Sequence, residues 1–136
     1  MGPKGMLVAV VDDEPDVRRA LQRLLRSAGF DVETYASGAS FLESIAHHRP
    51  DCVVLDLHMP QGDGFEVQKQ MSLRRADVPL IVITGHHSPE TCARVLEQGA
   101  RAYLRKPVDD ALLLAAINAV LGKTCAAAAP GTSDPP

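Results

Sequence analysis

Five short apolar stretches punctuate the chain, each followed by a longer segment whose apolar residues recur at helical spacing. Residues 6–11, 52–55 and 80–83 are unbroken apolar runs, the pattern of central parallel strands covered on both faces. Asp31–Tyr35 alternates polar and apolar, and Ala102–Arg105 is short and mixed. These two predict edge strands, where one face is less buried. In the segments between, Val17, Leu21, Leu24, Leu25 and Ala28 make an apolar stripe closed by Gly29. Ser37 or Ser40 caps a second helix, Ser40 and Glu43 having capping-box spacing. Asp63-Gly64 opens a third, with Phe65, Val67 and Met71 on its buried side. Ser88-Pro89-Glu90 starts a fourth that ends at Gly99. Residues 108–121 form a fifth, stopped by Gly122.

A strand followed by a helix, repeated five times, has crossovers long enough to require parallel strands. Two edge-like and three central-like strands fit an α/β sheet in the order 2-1-3-4-5. At 136 residues, 46% of them apolar, the chain is one domain with a sizeable core. Residues 6–122 are expected to form it, with 1–5 as an extension and 123–136 as a flexible Ala/Pro-rich tail or the start of a linker.

A net charge of −3 is too mild for nucleic-acid binding through bulk charge. No apolar run approaches the roughly 20 residues of a membrane helix, and the N-terminus lacks the longer apolar region of a signal peptide. A cytoplasmic protein is expected. Cys52, Cys92 and Cys125 have no paired spacing; they predict two buried thiols and one in the tail, all reduced.

The chemistry-bearing residues sit where these strands end. Asp12-Asp13-Glu14, Asp56, Thr84 and Lys106-Pro107 each close or follow an apolar run, and the carboxyl ends of parallel strands open onto one edge. Asp13 and Asp56 offer carboxylates to Mg²⁺, Asp12 a contact through water, and the backbone carbonyl of His58 a further oxygen. An aspartate ending a buried strand needs compensation, which a metal and Lys106 would supply. Beside a metal, that carboxylate suits in-line attack on phosphorus. The Thr84 hydroxyl can donate to a phosphoryl oxygen, Lys106 can neutralise charge, and Gly85 leaves the backbone bare for close approach. Glycines 62 and 64 relax the loop after Met59-Pro60 in the same way. Pro107 suggests a cis turn that aims the lysine. Taken singly, the acids also complement a helix dipole ahead of Pro15, Thr84 reads as a strand-end residue, and Lys106 as a solvated one.

Together, Val11-Asp12-Asp13-Glu14, Leu55-Asp56-Leu57-His58-Met59-Pro60, Gly64, Ile83-Thr84-Gly85 and Lys106-Pro107 resemble the receiver domain of two-component response regulators, over about residues 6–122. The resemblance implies a flavodoxin-like (βα)5 fold, like that of chemotaxis regulators, with the 2-1-3-4-5 order. It implies that Asp56 accepts a phosphoryl group from a sensor histidine kinase or phosphotransfer protein, with Mg²⁺ held near Asp12 and Asp13. Thr84 and Lys106 would bind phosphoryl oxygens, and Tyr103 would be the aromatic switch residue; without the resemblance Tyr103 reads as an ordinary edge-strand aromatic. The switching surface would be the fourth helix, fifth strand and fifth helix. There, Leu112, Leu113, Leu114, Ala115, Ala116, Ile117, Val120 and Leu121 suggest a phosphorylation-dependent dimer or partner face. His58 and His86 occupy positions the family varies to set phosphate lifetime. Together with His87 they rim the pocket, and they read equally as solvated loop histidines.

The details around Thr84-Gly85-His86 look most like receivers attached to helix-turn-helix DNA-binding domains, though no such domain lies in these residues. Such a switch turns over no separate substrate. Two other classes fit less well. Aspartate-nucleophile phosphatases place a second carboxylate where His58 stands. A flavin- or nucleotide-binding module would carry glycines where this chain carries Asp12-Asp13-Glu14.

Overall fold

A computed structural model describes residues 6–58, 64–74 and 77–122. The expected tail, Cys125, and the loop containing Met59-Pro60, Gly62 and Asp63 lie outside the described residues. Strands β1 (Leu7–Val11), β2 (Asp31–Tyr35), β3 (Cys52–Asp56), β4 (Leu80–Thr84) and β5 (Ala102–Arg105) alternate with helices. These are α1 (Pro15–Ser27), α2 (Gly38–Ile45), α3 (Gly64–Leu73), α4 (Pro89–Glu97) and α5 (Asp110–Val120). The strands form one parallel sheet in the order β2-β1-β3-β4-β5, with β2 and β5 at the edges as their mixed sequences require.

The unbroken apolar runs have a direct cause. Successive side chains of a strand point to opposite faces, and both faces here are covered. Ala9, Val11, Val53, Leu55, Leu80 and Val82 pack with Phe41 and Leu42 of α2, Val67 and Met71 of α3, and Val95 of α4. Val8, Val10, Cys52, Val54, Ile81 and Ile83 pack on the other face with Leu21 and Leu25 of α1 and Leu113 and Ile117 of α5.

Capping decides several boundaries. Ser37, not Ser40, is the N-cap of α2; its Oγ accepts from the Ser40 N–H at 3.2 Å. Ser88 caps α4 by accepting from the Thr91 N–H at 3.1 Å, with Pro89 opening the helix. Helix α5 begins at Asp110 rather than residue 108, because the Asp109 carboxylate takes the Leu112 N–H at 3.1 Å. Gly99, at φ 105°, supplies the left-handed turn after α4 that side-chain-bearing residues avoid.

Three expectations change. Phe65 is only partly buried, lying 3.7 Å under the Arg94 guanidinium, while Gln68 is buried and donates Nε2–H to the Val95 carbonyl at 3.1 Å. The thiol of Cys92 is half-buried, not buried. Most of the apolar surface of α5 is used internally: Leu114, Ala116, Val120 and Leu121 pack against the core, leaving Leu112, 60% exposed, as its large exposed side chain.

Gly64 answers to packing rather than loop freedom. A Cβ there would stand 2.8 Å from Leu57 Cα and 3.2 Å from the Asp56 carbonyl. The absent side chain lets the start of α3 press against the end of β3, where the Gly64 N–H donates to the Leu57 carbonyl at 2.6 Å.

Candidate functional site

The crossover after β1 runs outward to β2, while the crossover after its neighbour β3 runs the opposite way to β4, so the crevice opens at the carboxyl ends of β1 and β3. Asp12 and Asp13 follow β1, Asp56 ends β3, Thr84 ends β4, and Lys106 follows β5. The fold thus brings the sequence-predicted residues to one edge.

Asp12 is fully buried, Asp56 is 3% exposed and Asp13 is partly buried, and each offers a carboxylate oxygen within 4.8 Å of the others. Local turns hold them there. Asp12 Oδ1 accepts the Glu14 N–H at 2.9 Å, an Asx-turn that delivers the chain into Pro15. Arg18 Nη1 donates to the Asp12 carbonyl at 2.6 Å. Asp56 Oδ1 takes a longer bond, 3.3 Å, from the His58 N–H.

Lys106 is the counter-charge. Its Nζ lies 3.1 Å from Asp12 Oδ2, 3.4 Å from Asp56 Oδ2 and 3.0 Å from Glu14 Oε1. Burial works against the ammonium, but bonds to Glu14 and Asp12 and the field of Asp56 outweigh it and raise its pKa above the ordinary 10.5. The balance at Asp56 falls the other way. Burial, and then the charge on Asp12, push its carboxyl from 3.8 up to about 6, despite Lys106 and the His58 N–H. Apart from the Lys106 ammonium at 3.1 Å, the buried Asp12 Oδ2 has no partner among the described residues. Three clustered carboxylates that share one lysine are a donor set short of positive charge, and a hard divalent cation fits it.

Thr84 is fully buried. Its Oγ1 accepts the His86 N–H at 3.0 Å and is hydrogen-bonded at 2.9 Å to His58 Nδ1. The His58 and His86 rings meet edge-on at 5.1 Å, so these two histidines do rim the site. His87 does not join them; its Nδ1 lies 3.1 Å from the Tyr103 hydroxyl. Tyr103 is partly buried against the core, and that burial raises its pKa. The Lys106–Pro107 peptide is cis. At Gly85 a Cβ would meet only Lys106 Cδ, at 3.9 Å, so a small side chain fits there in this state.

Sequence reasoning missed the His58–Thr84 bond. A histidine two places after an aspartate is visible in the chain, but nothing in the pattern joins it to a threonine 26 residues away. Only the pairing of β3 with β4 does so.

A doubly wound parallel sheet with an acidic triad, a buried strand-end aspartate and a lysine reaching across from the last strand defines a class. Residues 8–118 match the family described as response regulator receiver domain. The chain is 37% identical over 122 residues to the transcriptional regulatory protein FixJ of Azorhizobium caulinodans, covering 90% of this chain and 58% of that protein. It is 41% identical over 117 residues to the response regulator MprA of Mycobacterium sp. (strain KMS), covering 86% and 51% respectively. Among solved structures, a response regulator receiver protein from Burkholderia phymatum superposes with a TM-score of 0.78 at 45% identity, over 87% of this chain and 96% of that one.

The chain therefore belongs to the response regulator receiver family. It spans about half the length of FixJ and MprA. Receiver domains are usually signalling rather than catalytic proteins, depend in general on Mg²⁺, and imply a kinase or other phosphodonor as partner. Among the described residues no helix is long and apolar enough to cross a membrane.

Proposed function

We propose that this chain is a cytoplasmic phosphorylation switch, with residues 6–122 as its working unit and Asp56 as its phosphoacceptor. The observation that carries the reading is the buried Asp56 carboxylate, grouped within 4.8 Å of Asp12 and Asp13 and faced by Lys106 Nζ at 3.4 Å. A sensor histidine kinase or a phosphotransfer protein is the donor. An Asp56 oxygen attacks phosphorus, the bond from phosphorus to the donor nitrogen breaks with its electrons left on the imidazole, and an acyl phosphate forms. Hydrolysis by water later returns the carboxylate and inorganic phosphate. No separate substrate is turned over.

Asp12, Asp13, Asp56 and the His58 backbone carbonyl would hold Mg²⁺, which supplies positive charge between the carboxylate and the incoming phosphoryl oxygens. Lys106 and Thr84 bind those oxygens, and Gly85 leaves room beside them. The histidines at 58 and 86 stand at the rim, where they influence the lifetime of the acyl phosphate. The product adds about −1.5 to −2 charges at one point. Movement of Thr84 and Lys106 towards it releases Tyr103 and changes the α4–β5–α5 face. Leu96 on α4, 44% exposed, and Leu112 on α5 offer that face a second copy of the chain as partner. The domain makes no nucleic-acid contact itself. It acts either alone by docking or as the receiver portion of a longer transcription regulator such as FixJ.

The test is intact mass after incubation with Mg²⁺ and acetyl phosphate. A gain of one phosphoryl group that requires both the metal and Asp56 is expected. Uptake by Asp56→Asn, or none by the wild type, refutes the assignment. Sedimentation of both phosphorylation states tests the dimer, and two monomers would count against it.

A further inference from the structure

Phosphoryl binding requires Thr84 to present its hydroxyl to the incoming group, yet in this structure that hydroxyl is engaged elsewhere. Thr84 Oγ1 accepts the His86 N–H at 3.0 Å and shares a 2.9 Å bond with His58 Nδ1. The first contact is a local turn within the β4–α4 connection and can travel with Thr84. The second ties Thr84 to the segment after a different strand and must break for the side chain to move. His58 is itself an exposed side chain, but its ring is backed edge-on by His86 at 5.1 Å and 76°, which limits its freedom to swing away. The threonine beneath it is completely buried.

We propose that His58 is a positioning residue that latches Thr84 in the resting state, so that phosphorylation of Asp56 must first win the hydroxyl from the imidazole. This rests on Asp56 being the phosphoacceptor. It assigns His58 a role distinct from any effect on the attacking water, because the latch acts through Thr84 and before the acyl phosphate exists. A ligand or modification can only shift a two-state equilibrium by its differential interaction with the two states. A bond made only in the resting state lowers the competent population by the strength of that bond. Since a single neutral hydrogen bond makes only a modest net contribution, losing the latch should raise the rate of phosphorylation by a factor of roughly 2 to 10.

His58→Phe retains an aromatic ring against His86 and leaves the backbone carbonyl in place, while removing Nδ1. Phosphorylation rates from acetyl phosphate, followed by intact mass, are compared for wild type, His58→Phe, Thr84→Val and the double variant. The latch predicts that His58→Phe is faster than wild type by the stated factor, and that the same change has no effect once Thr84→Val has removed the hydroxyl. Such a cycle isolates the pairwise coupling, because an acceleration that came from loop rearrangement or altered water access would persist in the Thr84→Val background. Equal rates for wild type and His58→Phe, or the same acceleration in both backgrounds, overturn the latch while leaving the phosphoacceptor reading intact. A second readout needs no phosphoryl transfer. The ¹⁵N resonance of His58 Nδ1 should shift between wild type and Thr84→Val, and an unchanged resonance overturns the latch. A shift accompanied by no phosphoryl uptake in the wild type refutes instead the assignment of Asp56, and the latch's purpose with it.

Discussion

Replacing Asp56 by asparagine removes one buried negative charge and preserves nearly all of the side-chain volume. In the folded protein the Asp56 carboxyl titrates at about 6 instead of 3.8, because burial and the neighbouring Asp12 charge both disfavour ionisation. At about 1.36 kcal/mol per tenfold displacement of the equilibrium, holding that charge costs the folded state ~3 kcal/mol as an upper limit. That figure is already net of the favourable Asp56–Lys106 contact, and Lys106 keeps Asp12 and Glu14 as partners when Asp56 is replaced. The net expectation is that Asp56→Asn is more stable by about 1–3 kcal/mol at neutral pH without divalent cations.

The pH dependence separates charge from packing. Below 3.8 the carboxyl is neutral in both folded and unfolded chains, so the substitution changes nothing through ionisation. Between 3.8 and about 6 the unfolded chain has released its proton and the folded one still holds it. Wild-type stability therefore falls as pH rises through this window, and the loss is complete above the folded value. Urea unfolding in EDTA at several pH values from about 4 to 7.5 reads the difference. It should be smallest at the acid end, a minor fraction of its full size, and reach that full size above pH 6. Adding Mg²⁺ at neutral pH should then stabilise the wild type, by binding only its folded form, and stabilise the variant much less. A pH-independent difference, or a variant less stable at neutral pH, would refute this account of the site's electrostatics.

The close approach of Gly64 to Leu57 predicts that Gly64→Ala destabilises by about 1–3 kcal/mol through overpacking against backbone; an unchanged urea midpoint would show that α3 can shift away at no cost. Ser88→Ala removes the α4 cap and should cost about 1 kcal/mol, read by the same titration. Burial pushes the Cys52 thiol up to about 12, so alkylation followed by peptide mass mapping should modify half-buried Cys92 and spare Cys52 until the protein unfolds. Rapid labelling of native Cys52 would contradict the packing of β3.

The sheet was legible because both its faces are covered, which forces nearly every residue of β1, β3 and β4 to be apolar and frees the edges from that demand. The site was legible for a related reason: polar residues that end such runs, Asp56 and Thr84 above all, can only lie at the sheet's carboxyl edge. Boundaries read less well where a side chain rather than periodicity decides them. Asp109 delays α5 by two residues, and the choice of Ser37 over Ser40 as the cap of α2, left open by the sequence, is made by the Ser37 hydroxyl. What the pattern does not carry is the choice among partners that the fold brings within reach. Lys106 has three carboxylates to answer and Thr84 two histidine-derived contacts, and sequence spacing is silent on how each divides its bonds. On the proposed function, those divisions are what an arriving phosphoryl group would rearrange. The residue types therefore place a switch's chemistry at this edge, whereas contacts such as His58–Thr84, on which the proposed latch rests, are visible only once β3 and β4 are laid side by side.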